Sequence, residues 1–285
     1  MPALSSLTRE RLADVDARLG VGDKGQLLSR ETAGRYRKVA RACLRRAVDL
    51  EIIPHDPWPP SSKGRSQRKA LRATKSIDVR RLPDPATMAT AIDAIDSHQP
   101  GSKKYRVMTA VAYYAGLRPS EVVMLRPQAL TLPEHGWGSI DVAEADVDFD
   151  EPGEPGEPKM GVREVPIPPV LVGILRQWLD DNAFHSPAQL IFRTRNGNRP
   201  TPSNWSRAWQ RAVDSIDHPR LRVYDCRHAA ATTWLRAGVP LAEVARRLGH
   251  SVETLVSTYA GALVDDQRIA NERIDAVLGH ADESR

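Results

Sequence analysis

The chain has 285 residues, a formal net charge of +5, a pI near 9.3, 41% hydrophobic residues and a mean hydropathy of −0.44. That length holds one large domain or two smaller ones, and the composition is that of an ordinary globular protein rather than a disordered or lipid-embedded chain. No apolar run approaches the roughly 18 residues of a membrane span, and the first twenty residues lack an apolar stretch behind a basic one, so the cytosol is the expected compartment and no membrane partner is expected. Cys43 and Cys226 stand 183 positions apart and outside any C-x-x-C, which supports neither a disulfide framework nor a zinc site. Both read as small core residues.

Charge is distributed unevenly. Between Lys63 and Arg81, eight cations (Lys63, Arg65, Arg68, Lys69, Arg72, Lys75, Arg80, Arg81) face one acid, Asp78. From Asp141 to Glu157 there are eight acids and no Lys or Arg, so the remainder of the chain carries +13. Residues 193–247 add eleven arginines, no lysine and four acids. A surface this basic is the electrostatic footprint of a polyanion, most often nucleic acid, although charge alone fits a solvated face equally well.

In chain order, 7–19 reads as a short helix and Ser29 as the N-cap of a second. In that second helix Tyr36, Val39, Ala40, Cys43, Leu44 and Ala47 form an apolar face, while Arg35, Arg37, Lys38, Arg41, Arg45 and Arg46 occupy the others. Between the two, Gly20 to Gly25 matches G-x-G-x-x-G in letters, but no strand precedes it, and a flexible connector fits better than a nucleotide site. Pro54, Pro57, Pro59 and Pro60, followed by Ser61 and Ser62, cannot continue a helix and mark a linker. The domain boundary is placed near residue 75, which gives a small helical domain over 1–75 and a larger one over 76–285.

A helix over 105–115 then leads through Gly116 to Leu117–Glu121, with Pro119 suited to the first turn of the next helix. Alternation at Ile140/Val142, Val147/Phe149 and Val165/Ile167 predicts two or three short strands around a turn-rich loop over 150–158. Helical stripes return at Leu171, Ile174, Leu175, Trp178 and Leu179, and at Trp205, Ala208, Trp209, Ala212, Val213 and Ile216, which places these tryptophans in the core. From about residue 225 to 278 the chain reads as helical, broken at 238–240 and at Gly249. The expected fold class is mainly α with a small β-sheet (α+β).

No H-E-x-x-H, calcium loop, Walker loop or G-x-S-x-G elbow is present, and no metal or cofactor is expected. What remains is a set of arginines at helix starts and turns, a lysine on a hairpin, a histidine after a glycine and a tyrosine in a late helical segment. Ala115-Gly-Leu-Arg118-Pro-Ser-Glu121-Val-Val-Met-Leu125 resembles the first motif of the tyrosine recombinases, or phage integrases. Tyr224-Asp-Cys-Arg227-His-Ala-Ala-Ala, Leu248-Gly-His250-Ser and Thr258-Tyr259 resemble, in order and spacing, their second motif and nucleophile segment. Pro158-Lys159-Met-Gly-Val-Arg163-Glu-Val-Pro-Ile167 is similar to the family hairpin that carries an active-site lysine. The resemblance covers residues 76 to 279, and more weakly the basic helix 29–53, which is similar to the family's DNA-gripping domain.

The resemblance implies an enzyme that cuts and rejoins DNA through a 3'-phosphotyrosyl intermediate. Tyr259 would attack the phosphodiester, Arg118 and Arg227 would clamp its oxygens, Lys159 would protonate the departing 5'-oxygen, and His250 would donate a hydrogen bond. A tyrosine hydroxyl with a pKa of about 10 needs a base or a strong positive field to serve as nucleophile. Glu121, three residues after Arg118, would hold that guanidinium. The second motif usually begins with His, three residues before its Arg, and here Tyr224 stands there, so a slower but active site is expected. His228 is a second candidate base, but helical spacing turns it about 100° from Arg227, which favours a structural role. Arg35, Lys38, Lys63, Arg65, Arg68, Lys69 and Arg72 are the expected DNA-binding residues.

The partner implied is double-stranded DNA, held by a homotetramer assembled on it from subunits that can be monomeric in solution. The alternative is a catalytically weakened, recombinase-derived DNA-binding protein.

Overall fold

The computed structural model describes residues 9–58, 77–97, 103–146, 155–156, 161–218, 221–264 and, within 271–278, all but 273 and 277. The chain divides into two compact units, Met1–Arg72 and Ala73–Arg285. The expected boundary near residue 75 and the linker cations Lys63, Arg65, Arg68, Lys69 and Arg72 lie outside the described residues.

The first unit is built on α1 (Arg9–Arg18) and α2 (Arg30–Asp49). Ser29 caps α2, its hydroxyl accepting from Thr32 N at 3.1 Å. The glycine-bearing link between the helices is a closed turn rather than a loose connector: Val21 bridges Leu27, and Gly25 takes φ +77°, where a Cβ is unfavourable. Leu12, Leu44, Ala47, Ile53 and Trp58 form the core of this unit, and Arg37 Nε meets Asp16 Oδ1 at 2.6 Å. The face expected to be buried is thus only partly so. Ala33, Leu44 and Ala47 point inward, whereas Tyr36, Val39 and Cys43 are exposed. The apolar stripe is wider than α1 and the 53–58 segment can cover, and burial follows the part of it they reach.

The second unit opens with a 3-10 turn (Val79–Arg81), followed by α3 (Pro85–Ser97), α4 (Lys103–Tyr114) and the four-residue α5 (Pro119–Val122). Then come β1 (Leu130–Thr131), β2 (Gly138–Val142), β3 (Ala145–Asp146), β4 (Pro155–Gly156) and β5 (Arg163–Ile167). It continues with α6 (Pro169–Asp181), α7 (Pro202–Ser215), α8 (Val223–Arg236), α9 (Leu241–Leu248) and α10 (Val252–Val264).

α4 is the axis of this unit. Every residue from Val107 to Tyr113 is buried, as a helix covered by α3, α6, α7 and α8 requires. Even its polar member is satisfied: Thr109 accepts from Trp205 Nε1 at 2.9 Å and donates to Tyr105 O at 2.7 Å. Trp205 and Trp209 lie in the core, and half-buried Trp178 donates to Ile191 O at 3.1 Å.

β1, β2 and β5 form an antiparallel sheet in that order, with Ile140 opposite Val165 and Val142 opposite Arg163. β3 and β4 form a separate antiparallel pair, and the predicted strand at Val147/Phe149 lies outside the described residues. On β5 the inward positions are Arg163, Val165 and Ile167. A charged side chain therefore shares the buried parity of two aliphatic ones. The architecture is mainly helical with a small sheet, of the α+β class. Among the described residues no helix is long and apolar enough to cross a membrane.

Candidate active site

Pro119 starts α5 and leaves Arg118 as its N-cap in extended backbone conformation. Glu121, the third residue of the helix, reaches back to the Arg118 backbone, accepting from its N–H at 2.8 Å, and also takes Arg118 Nη1 at 2.8 Å. The same carboxylate receives Arg163 Nη1 at 3.0 Å and Nη2 at 2.8 Å. Burial alone would push the Glu121 carboxyl up. Hydrogen bonds and charge from Arg163, with the charge of Arg227, outweigh it and hold the group below its ordinary range. One buried acid thus fixes two arginines.

Gly249 ends α9 in the left-handed conformation, φ +57°. Its carbonyl accepts Arg118 Nη2 at 2.7 Å, and a Cβ on it would lie 3.1 Å from the Arg163 guanidinium carbon. Arg163 also donates Nε to Arg247 O at 2.9 Å. The α9 C-terminus is thereby tied to β5 and α5, and His250 follows directly.

Arg227, on α8, is completely buried. It donates to Gly116 O at 2.6 Å and to Leu248 O, and its Nη2 stands 3.0 Å from His250 Nε2. Burial, then the neighbouring Arg118 charge, lower its pKa to about 10, so it is still a cation at neutral pH. His250 is pushed down to about 3 by burial and by Arg227 and Arg118, and is neutral. Because Arg227 is the donor, the His250 proton sits on Nδ1. Among the described residues, that Nδ1 and Arg227 Nε are both buried without a hydrogen-bond partner.

Tyr259 is 0% exposed and occupies a kink in α10, with φ −112° and ψ 22°. Beside it, the Thr258 carbonyl accepts from Ile77 N at 3.0 Å, from the segment entering this unit. Val79, Leu255 and Leu248 pack in the same cluster as the Tyr259 ring. Burial drives the phenol well above its ordinary pKa, while the charges of Arg227 and Arg118 pull the other way. The Tyr259 hydroxyl lies 2.8 Å from His228 Nδ1. The His228 ring meets Tyr224 edge-on at 5.0 Å and Tyr259 at 5.8 Å. Burial lowers its pKa to about 4.

Arg118, Glu121, Arg227 and His250 are therefore drawn together around the end of α9, and Tyr259, from a fourth stretch of sequence, lies in the field of Arg227 and Arg118 with its hydroxyl on His228, while Tyr224 is at the margin and 37% exposed. Lys159 lies outside the described residues. His228, for which helical spacing favours a structural role, meets the Tyr259 hydroxyl. Arg163 joins the site through Glu121, and its parity with Val165 and Ile167 is the signal for it in the sequence. Cys226 is buried as expected, and burial raises its thiol. Among the described residues no cluster of three His, Cys, Asp or Glu side chains is placed to hold a metal ion.

The model of the phage integrase family matches residues 84–265. The chain is 32% identical over 162 residues to a prophage phiRv2 integrase of Mycobacterium tuberculosis, covering 55% of this chain and 42% of that protein. It is 24% identical over 235 residues to the integrase of Mycobacterium phage D29, covering 80% and 58%. It spans about half the length of these curated relatives. Among solved structures, the Tn1549 transposon integrase in complex with transposon right end DNA superposes with a TM-score of 0.64 at 19% identity, over 96% of this chain and 87% of that one. The XerH site-specific recombinase bound to difH substrate gives 0.62 at 17%, over 95% and 73%. These likenesses establish the shared fold, and with the family model matched from α3 to the end of α10, the chain belongs to the phage integrase family.

Proposed function

We propose that this chain is a site-specific DNA recombinase that cuts and rejoins duplex DNA through a 3'-phosphotyrosyl intermediate, with Tyr259 as the nucleophile. The observation that carries the reading is the joining of Arg118, Arg227 and His250 at the end of α9, with the Tyr259 phenol in the field of both arginines, and two buried donors, Arg227 Nε and His250 Nδ1, that have no partner among the described residues. A buried unpaired donor is unfavourable, and a phosphodiester oxygen is an acceptor that would pair it. The phosphate gains negative charge during attack, and two permanent cations held in place by Glu121 and backbone carbonyls stabilise that charge without reorganising. Lys159 is assigned the protonation of the departing 5'-oxygen.

Residues 1–75 are assigned to gripping the duplex and 76–285 to catalysis. Arg35 and Lys38 are exposed on α2, which supports phosphate contacts there, continued by Lys63, Arg65, Arg68, Lys69 and Arg72. Ile274 and Leu278, one helical turn apart, are 55% and 64% exposed. That apolar pair supports docking of the C-terminal segment on a neighbouring subunit in a tetramer assembled on DNA.

The test begins with selection of bound duplexes from a random pool by the full chain. A nicked suicide version of the winner should then trap a covalent protein–DNA adduct, and Tyr259→Phe should abolish it. Adduct formation by Tyr259→Phe overturns the nucleophile assignment. Specific binding with no adduct from the unmodified protein on any selected duplex overturns the enzyme reading in favour of a DNA-binding protein.

A further inference from the structure

Among the described residues, the hydroxyl of Tyr259 has His228 Nδ1 as its hydrogen-bond partner, at 2.8 Å. The hydrogen bond has a preferred direction. If Nδ1 carried the ring proton and donated it, the phenolic proton would be buried without an acceptor, so the hydroxyl donates and His228 carries its proton on Nε2. The ring is set in place by the edge-on Tyr224, one turn earlier on α8, and by the Tyr259 ring itself. A lone pair is thus aimed at the atom that must lose a proton for attack on phosphorus.

We propose that His228 is the proton acceptor for Tyr259, taking the phenolic proton on Nδ1 as the phosphotyrosyl bond forms and returning it when the strand is rejoined. This role rests on the recombinase reading of Tyr259. In the step, the Tyr259 Oη–P bond forms and the P–O5' bond breaks. The phenolic proton goes to His228 Nδ1, and the 5'-oxygen takes a proton from the general acid assigned to Lys159. Rejoining runs the same transfers backwards.

The charge environment makes this transfer depend on DNA. His228 is faced by Tyr224, Asp225 and Arg227 on its own helix, by Arg222 at the start of that helix, by His250 before α10 and by Tyr259. Burial and the two arginines keep it neutral down to about pH 4, Asp225 opposing them. The lone pair is therefore available at neutral pH. Burial holds the Tyr259 phenol above its ordinary value and His228 below its own, so the free site disfavours transfer of the phenolic proton. A phosphodiester beside Arg227 and Arg118 offsets the positive field that weakens His228, while bond formation to phosphorus acidifies the phenol. The hydroxyl is thereby kept protonated until substrate arrives.

His228→Asn presents an amide oxygen near the position of Nδ1 but takes no proton. On the nicked suicide duplex it should bind DNA within about threefold of the unmodified chain and form adduct about 100-fold or more slowly. Its rate should climb with pH over the range in which the unmodified chain has reached a plateau. His228→Ala should recover adduct formation when imidazole is added to the buffer. An Asn variant that reacts within threefold of the unmodified chain, or shares its pH profile, overturns the proposal while leaving Tyr259 as nucleophile. Loss of adduct in the unmodified chain overturns both. Independently of any variant, the nitrogen-15 chemical shifts of His228 in the free protein should report an unprotonated Nδ1, and a protonated Nδ1 overturns the assignment even if both variants fail to fold.

Discussion

Glu121 and Arg163 engage each other through both carboxylate oxygens and both terminal guanidinium nitrogens, at 3.0 and 2.8 Å, with side chains only 1% and 6% exposed. Removing one partner of such a pair leaves an uncompensated charge in the interior, which is worse than removing both. Glu121→Gln should therefore lower unfolding free energy by about 3–5 kcal/mol, and Glu121→Gln combined with Arg163→Met should recover part of that loss, both read from urea denaturation. The depressed Glu121 carboxyl also sets an acid window. Its stabilisation is fully present above the unfolded glutamate value of about 4.3 and fades as pH falls through the lower folded value. The Gln variant should lose that part of the acid dependence.

Gly249→Ala and Gly25→Ala make a controlled comparison. Both residues have positive φ, +57° and +77°, so each alanine carries the left-handed penalty of roughly 1–2 kcal/mol. Nothing lies within 4 Å of a Cβ at Gly25, whereas at Gly249 the Arg163 guanidinium is met at 3.1 to 3.3 Å. Gly249→Ala should be the more destabilising in denaturation and should also slow adduct formation; Gly25→Ala should leave that rate unchanged.

Arg227→Lys keeps the charge but not the fork that reaches Gly116 O, Leu248 O and His250 together. Adduct formation on the suicide duplex should drop about 100-fold or more, the scale of losing a preorganised donor. Equilibrium binding of the same duplex, measured by anisotropy, should change far less.

Two histidines held neutral predict a second pH effect. His228 and His250 have folded values near 4 and 3, below the unfolded 6.5. Between pH 6.5 and those values the unfolded chain binds more protons, so stability declines as pH falls through that window and is indifferent to these groups above it. Denaturation midpoints at pH 7 and pH 5 should show the decline, and His228→Asn should show less of it.

The linker cations should act through salt. Replacing Lys63, Arg65 and Arg68 by Gln should reduce the slope of log affinity against log salt by about three if each contacts a phosphate. The loss should be the same for selected and unrelated duplexes, as titrations at several salt concentrations would reveal.

Much of the site was legible because its motifs carry their own backbone logic. Pro119 after Arg118 and Gly249 before His250 mark a helix start and a helix end, and the structure puts the guanidinium on the glycine carbonyl. The contact of His228 with Tyr259 is not legible in the sequence. Helical spacing relates residues on one helix and turns 228 about 100° from 227, but it is blind to α10, which brings the Tyr259 hydroxyl to the His228 ring. Arg163 shares the buried parity of Val165 and Ile167, but alternation marks which side chains face inward and not that one of them pairs with a buried acid. On α2 the periodicity of Tyr36, Val39 and Cys43 was real, yet periodicity says which residues share a face and not how much partner surface exists to cover it.

The hydrogen bond from Ile77 N to Thr258 O has a practical corollary for anyone isolating the second unit. It makes the segment just ahead of the Val79–Arg81 turn a brace for the bend at Tyr259. A truncation point chosen by helix boundaries alone, at Pro85, would discard that brace. Such a fragment would retain its hydrophobic centre around α4 while releasing Tyr259 from its seat, and a preparation that is well folded by spectroscopy yet inert would be the outcome.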